Sequence, residues 1–200
     1  MGLAVNDFDY VAPFYSSLDH FFFAGELNRS QSFFLSRIKE KEKVLAIGAG
    51  NGQMLSSIPS AAHVDFVEKS GKMMELAKMK RREGIGFFQT DFLSWETSST
   101  YDVVICPFFL DCFSETKLDT VIGKIRSHLR KNAVLIVTDF SNKTNPNLIW
   151  VMYLFFRLFS KLEAKQLLNF REHLEKADFY LVKERVFRFG IKSQVFKLQQ

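Results

Sequence analysis

Residues 43–52 read Lys-Val-Leu-Ala-Ile-Gly-Ala-Gly-Asn-Gly, and the fold turns on this stretch. Val44 to Ile47 is a short apolar run, the pattern of a strand buried on both faces. It breaks into Gly48, Gly50 and Gly52, each separated by one small residue, Ala49 or Asn51. Glycine tolerates positive φ and lets a ligand approach the main chain closely. A helix is expected from about Gln53 to Ile58, stopped by Pro59, with its free N–H groups directed back at the loop. A dinucleotide-binding loop places glycines first, third and sixth. The sixth position here is Gln53, so the pattern is G-x-G-x-G. Taken alone, it is also the pattern of an ordinary strand-to-helix turn.

Outward from the loop, strands and helices alternate. Val64–Val67 is a second strand ending at Glu68, and Ser70 opens a helix carrying Met73, Met74, Leu76 and Ala77. Gly86–Gln89 is a third strand running into Asp91-Phe92, and Tyr101–Cys106 is a fourth, followed by Pro107-Phe108-Phe109-Leu110-Asp111. Residues 116–129 are amphipathic, with Leu118, Val121, Ile122, Ile125 and Leu129 on one stripe, and Ala133–Phe140 is a fifth strand, fully buried. This alternation predicts a doubly wound, mostly parallel α/β sheet, with ligands at the carboxyl ends of the strands. Leu181–Phe189 and Ile191–Leu198, joined at Gly190, predict an antiparallel hairpin closing the edge of a seven-stranded sheet.

Two regions flank this core. Asn6–Phe23 mixes aromatic and acidic residues around Pro13, and a helix over 27–38 groups Phe33, Phe34 and Ile38 on one side. Leu148–Phe156 is nine consecutive apolar residues, continued by Leu158-Phe159 past Arg157. That run is too short to span a bilayer. It reads as a buried helix, a lid over a greasy pocket or an interfacial helix. Two hundred residues are expected to form a single domain: residues 1–40 a helical cover, 43–140 the core, 141–200 a helical insertion and the closing strands.

The net charge of +5 comes from residues 148–200, with 10 Lys+Arg against 5 Asp+Glu, which reads first as a solvated face and second as a surface lying near an anionic substrate or lipid. Lys78, Lys80, Arg81 and Arg82 sit at a helix end, where cations suit the dipole, and need no nucleic acid to explain them. His20, His63, His128 and His173 are dispersed and read as surface residues, with no metal expected. Cys106 and Cys112 imply no disulfide framework, which fits a reducing cytoplasm, and the N-terminus has no secretory pattern.

Four segments in order carry a resemblance. The glycine loop, Val-Asp-Phe-Val-Glu-Lys-Ser-Gly-Lys-Met-Met (64–74), Asp91-Phe92 and Tyr-Asp-Val-Val-Ile-Cys-Pro (101–107) together resemble class I S-adenosylmethionine (SAM)-dependent methyltransferases. Their pattern is nearest the ubiquinone/menaquinone-biosynthesis-like small-molecule enzymes, and the match covers about residues 8–140. The resemblance implies SAM as cofactor, held by Gly48, Ala49, Gly50 and Gly52, with Glu68 on the ribose hydroxyls. Lys69 and Met73 would flank the adenine, Asp91 and Phe92 would contact its edge and face, and Pro107 would line the methyl-transfer position. Tyr15, in a Tyr-Val-Ala-Pro-Phe-Tyr segment, maps onto a lid residue over the methionine end.

Two departures stand out. Ala46 replaces the acid that precedes Ile-Gly in relatives, and Pro107, Asp111 and Cys112 stand where relatives carry Asn and a His pair. With no His in place, Asp111 is the candidate general base, provided burial raises its pKa. A sulfonium is already an activated methyl donor, so alignment can supply much of the rate. The expected acceptor is a small, apolar or aromatic molecule, with a lipid-like one among the candidates. The rival readings are a lipid methyltransferase docked through 148–159 and a catalytically silent SAM-binding or interaction module.

Overall fold

The computed structural model describes Asp9, residues 23–141 and residues 169–199. Seven strands form one sheet in the order β3-β2-β1-β4-β5-β7-β6. They are β1 (Lys43–Ile47), β2 (His63–Glu68), β3 (Ile85–Gln89), β4 (Tyr101–Pro107), β5 (Leu129–Phe140), β6 (Phe179–Val186) and β7 (Ile191–Leu198). The first five are parallel. The antiparallel β7 inserts between β5 and β6 and leaves β6 at the edge. The chain winds outward one way through β1, β2 and β3, then returns to lay β4 and β5 on the other side of β1. The carboxyl ends of β1 and β4 therefore diverge at a switch point, the place where open α/β sheets bind ligands.

Strand alternation sorts the apolar residues onto two faces. Leu45, Ile47, Val104, Cys106, Leu135 and Val137 face one layer, covered by Leu118, Val121, Ile122 and Ile125 of a helix over Glu115–Ser127 and by Phe170 and Leu174 of a helix over Phe170–Lys176. Val44, Ala46, Val103, Ile105 and Ile136 face the other, against Phe34, Leu35, Ile38, Met54, Leu55, Met74 and Ala77. The 115–127 helix carries the amphipathic stripe of the sequence, and each buried Leu, Ile or Val on it contributes ~1.5–3 kcal/mol.

Four expectations are corrected. The segment after the glycine loop is a five-residue 3-10 turn, Gln53–Ser57, and no α-helix forms. Gly52 is left-handed before it and Ile58 is extended after it, so too few residues remain for α-helical turns. The helix expected over 27–38 is broken into an α-helix at Glu26–Ser32 and a 3-10 turn at Leu35–Arg37. Leu27 packs with Phe23, Phe140 and Ile191, while Phe34, Leu35 and Ile38 pack under the sheet. One straight helix cannot reach both clusters, and Phe33 is left 42% exposed against Phe187 and Arg185. The fifth strand starts at Leu129, with Arg130–Asn132 exposed, and the 115–127 helix ends before it. The β6–β7 link is longer than one residue: a turn at Arg188–Gly190 with Phe189 at φ 60°. Residues 148–159 and Tyr15 lie outside the described residues.

Candidate functional site

Gly48, Gly50 and Gly52 all adopt left-handed φ, of 59°, 56° and 68°, but the reasons differ. A Cβ at Gly48 would collide with Cδ2 of Phe109, so the bare Cα admits an aromatic ring from the turn after β4. A Cβ at Gly52 would lie 2.9 Å from that of Ala77, so this glycine serves the packing of the loop on the helix over Gly71–Lys78. Gly50 is the open one: the nearest atom to its would-be Cβ is Met73 Sδ, at 3.8 Å. Ala49 is buried in the core beneath.

Glu68 closes β2 and is buried beside this loop. The Gly50 N–H donates to its Oε2 at 3.0 Å and the Ser70 N–H to its Oε1 at 2.8 Å. Burial raises its pKa above the usual carboxylate range, against the pull of those N–H donors. The Lys69 N–H donates to it as well, so of the roughly four acceptor positions of the carboxylate three are filled by main-chain donors. Ser70 caps the following helix by accepting from Met73 N at 3.1 Å. Its hydroxyl donates to Asp9 Oδ1 at 2.6 Å, and Lys72 N donates to the same oxygen. These bonds place Asp9 beside Glu68's neighbour Ser70. Sequence reading missed it: nothing in Asp-Phe-Asp-Tyr marks which acid will meet a helix 61 residues away.

Lys69 Nζ lies 3.1 Å from Asp91 Oδ2, joining two residues assigned to the same adenine pocket. Asp91 also caps the 3-10 turn Phe92–Ser94, accepting from Leu93 N at 2.9 Å. Phe92 is buried, and its ring meets Phe109 edge-on at 6.1 Å, with Phe113 continuing the aromatic wall 4.9 Å from Phe109. Behind Phe92 stands His128, which is buried and not at the surface as expected, among Trp95 and Tyr101. Burial holds its pKa below the ordinary imidazole value. Lys124 fixes this loop from below by donating to Leu93 O and Trp95 O, at 2.9 and 2.6 Å.

At the ends of β4 and β5 the chemistry changes. Pro107, buried, pairs with Thr138 of β5, and Phe108, at φ 51°, starts a tight turn to Asp111. Asp111 N donates to Asp139 Oδ2 at 3.2 Å, and the two carboxyl groups face each other within hydrogen-bonding reach. Asp139 is fully buried and accepts from Phe140 N as well. Burial pushes both pKa values up, and the negative charge of Asp111 adds to the rise at Asp139. Cys112, beside them, is a buried thiol whose pKa is also raised, as expected of a residue that packs and does not attack. Asp139 was not singled out from sequence, because Thr-Asp-Phe closing an apolar strand has no local mark of a partner 28 residues earlier.

Gly48–Gly52, Glu68, Met73, Lys69, Asp91 and Phe92 thus converge on one crevice at the carboxyl ends of β1–β3, and Phe109, Asp111 and Asp139 gather at the ends of β4 and β5. A nucleoside fits the first group: a buried carboxylate at a strand end, an open glycine and an acid ahead of an aromatic face. Ala46 is fully buried in the core, so no acid reaches the crevice from that position.

Residues 44–132 match the family described as "Methyltransferase domain". Over 97 residues, 48% of this chain and 46% of the relative, the sequence is 26% identical to an uncharacterized methyltransferase of Bacillus cytotoxicus. Over 86 residues, 37% of this chain and 36% of the relative, it is 35% identical to the tRNA1(Val) (adenine(37)-N6)-methyltransferase of Aliivibrio fischeri. The chain spans about half the length, or less, of these curated relatives. Among solved structures, the N-methyltransferase NodS of Bradyrhizobium japonicum in complex with S-adenosyl-L-homocysteine superposes with a TM-score of 0.69 at 14% identity, covering 92% of this chain and 91% of that one. Residues 44–132 therefore resemble a methyltransferase domain, and the fold is the one seen in that N-methyltransferase with its S-adenosylhomocysteine; SAM is the cofactor such a domain implies. Among the described residues, no helix is long and apolar enough to cross a membrane.

Proposed function

We propose that the chain is a SAM-dependent methyltransferase acting on a small acceptor with an apolar or aromatic body. The observation that carries this reading is Glu68: a buried carboxylate at the end of β2, clamped by main-chain N–H groups between the glycine loop and the next helix, where a ribose hydroxyl would meet it. Gly50 would carry the sugar against the main chain, Met73 and Lys69 would flank the base, and Asp91 with Phe92 would take its edge and face. SAM supplies an activated methyl group when bound. The protein's part is then to align an acceptor and keep water out, which Phe109, Phe92 and Phe113 do as a continuous wall against Gly48. Asp111 is the base at the acceptor end. Tyr15 lies outside the described residues; the resemblance assigns it to a lid over the methionine end.

The test is incubation with methyl-labelled SAM and a panel of small phenols, amines and quinols, reading S-adenosylhomocysteine and methylated product by mass. The reading expects methylated product from at least one apolar member. SAM binding with no transfer to any of them favours the catalytically silent module instead.

A further inference from the structure

The described residues hold a second buried group that the cofactor reading does not use: Asp139 at the end of β5. We propose that Asp139 is a positioning residue for methyl transfer, holding Asp111 at the acceptor position as half of a proton-sharing pair, and that this pair selects a small amine as the acceptor. The inference rests on the methyltransferase reading of the crevice.

Placement carries the first half. Asp111 lies on the turn Leu110–Cys112, immediately after Phe109, whose ring covers Gly48. Asp111 is partly exposed whereas Asp139 behind it is fully buried, so Asp111 is the member that can touch an acceptor. Asp139 fixes it twice, by accepting from the Asp111 N–H and by meeting its carboxyl group. Two carboxyls this close in a buried site do not both ionise readily, and the pair keeps one proton over a broad pH range.

The surroundings carry the second half. Among the described residues, the titratable groups facing the pair are Cys106 on β4, Cys112 on the turn and, further off, Glu68 at the end of β2. None of these is a cation. Lys192, opposite Asp139 on β7, directs its ammonium to Glu184 at 3.1 Å. Among the described residues the pair therefore presents one uncompensated negative charge beside an aromatic wall. A carboxylate or phosphate acceptor is repelled there, and a phenol would have to become a phenolate beside an acid pair. An alkylammonium is attracted, and it needs a base, since its pKa of about 10 keeps it protonated at neutral pH. One proton passes from the ammonium to the Asp111 carboxylate, a transfer that apolar walls favour because it replaces two charges by none. The freed nitrogen lone pair forms the N–C bond as the C–S bond of the sulfonium breaks and its electron pair returns to sulfur. The products are a methylated ammonium, a neutral thioether and a neutral acid pair, so charge and atoms balance.

Calorimetry on the full chain tests this in two stages. S-adenosylhomocysteine is titrated first; if it does not bind, the methyltransferase reading itself fails. The saturated complex is then titrated with phenethylamine, 2-phenylethanol and 3-phenylpropionate, which share one aromatic body. Phenethylamine is expected to bind at least tenfold tighter than the alcohol, with the carboxylate weakest. Equal binding, or none by any of the three, overturns the proposal, and this arm needs only the unmodified protein. In Asp139→Asn, S-adenosylhomocysteine affinity is expected within about twofold of the original, while the rise of phenethylamine affinity with pH changes from two steps to one. A merely structural Asp139 would lower affinity equally at every pH, and that result contradicts a shared proton.

Discussion

The two ends of the crevice are built in different ways. At the cofactor end, each contact joins a residue to something its own strand delivers. Glu68 closes β2 and meets the loop that closes β1, and Asp91 follows β3 and meets Lys69, which follows β2. At the acceptor end, the Asp111–Asp139 pair and the Phe109 contact with Gly48 join β4 to β5 and β4 to β1 through turns with no repeating spacing. A fixed ligand can be held by short motifs at strand ends. An acceptor site is free to be assembled from whatever side chains the adjacent turns present.

The largest effect expected from breaking the cofactor end is at Glu68. Replacing it by Ala removes the carboxylate that would meet a ribose hydroxyl and orphans the N–H groups of Gly50, Lys69 and Ser70, so S-adenosylhomocysteine affinity should fall by about 2–3 kcal/mol, or roughly 30- to 150-fold, by calorimetry. An unchanged affinity would move the nucleoside elsewhere.

Gly52→Ala sharpens the comparison from the packing side. Its left-handed φ and the 2.9 Å approach to Ala77 predict a loss of ~1–3 kcal/mol in denaturant unfolding. Gly48→Ala should instead be rescued in part by Phe109→Ala, because the colliding atom belongs to that ring.

Next comes pH. Asp139, Asp111 and Glu68 all have raised pKa values in the folded chain, so between about pH 4 and those values the folded state binds more protons than the unfolded one. Stability should therefore be greatest at the acid side of that window and fall as pH rises through it. Asp139→Asn should flatten part of the fall in a series of thermal melts. His128 has the opposite sign. Its lowered pKa contributes stability that is complete above about 6.5 and lost as pH falls below it, so His128→Gln should remove a destabilisation confined to the acid side. The smallest effect belongs to Lys69–Asp91. Both side chains are more than a third exposed, so a double-mutant cycle on stability should show coupling under ~1 kcal/mol.

What was legible in the sequence follows the same division. Val44–Ile47, Val64–Val67 and Tyr101–Cys106 were readable because the central strands of a covered sheet are rich in Val, Ile, Leu and Phe, and Ser70 was readable as a cap because its hydroxyl meets an N–H three residues on. The closing hairpin was legible from its alternation, although not its turn. The broken 26–38 segment was not, since its period fits one helix and only the positions of two separate clusters divide it. Nor was the loss of the helix after Gly52, where Pro59 set an end and tertiary packing used up the remaining residues. Asp9, Asp139 and the burial of His128 depend on contacts across tens of residues, for which one chain offers no periodic signal.

One titration bears most directly on all of this: calorimetry of S-adenosylhomocysteine into the unmodified chain and into Glu68→Ala. Saturable one-to-one binding that the substitution weakens at least thirtyfold is the predicted result. Heat indistinguishable from dilution in the unmodified chain at millimolar ligand, or equal binding by both proteins, would contradict it.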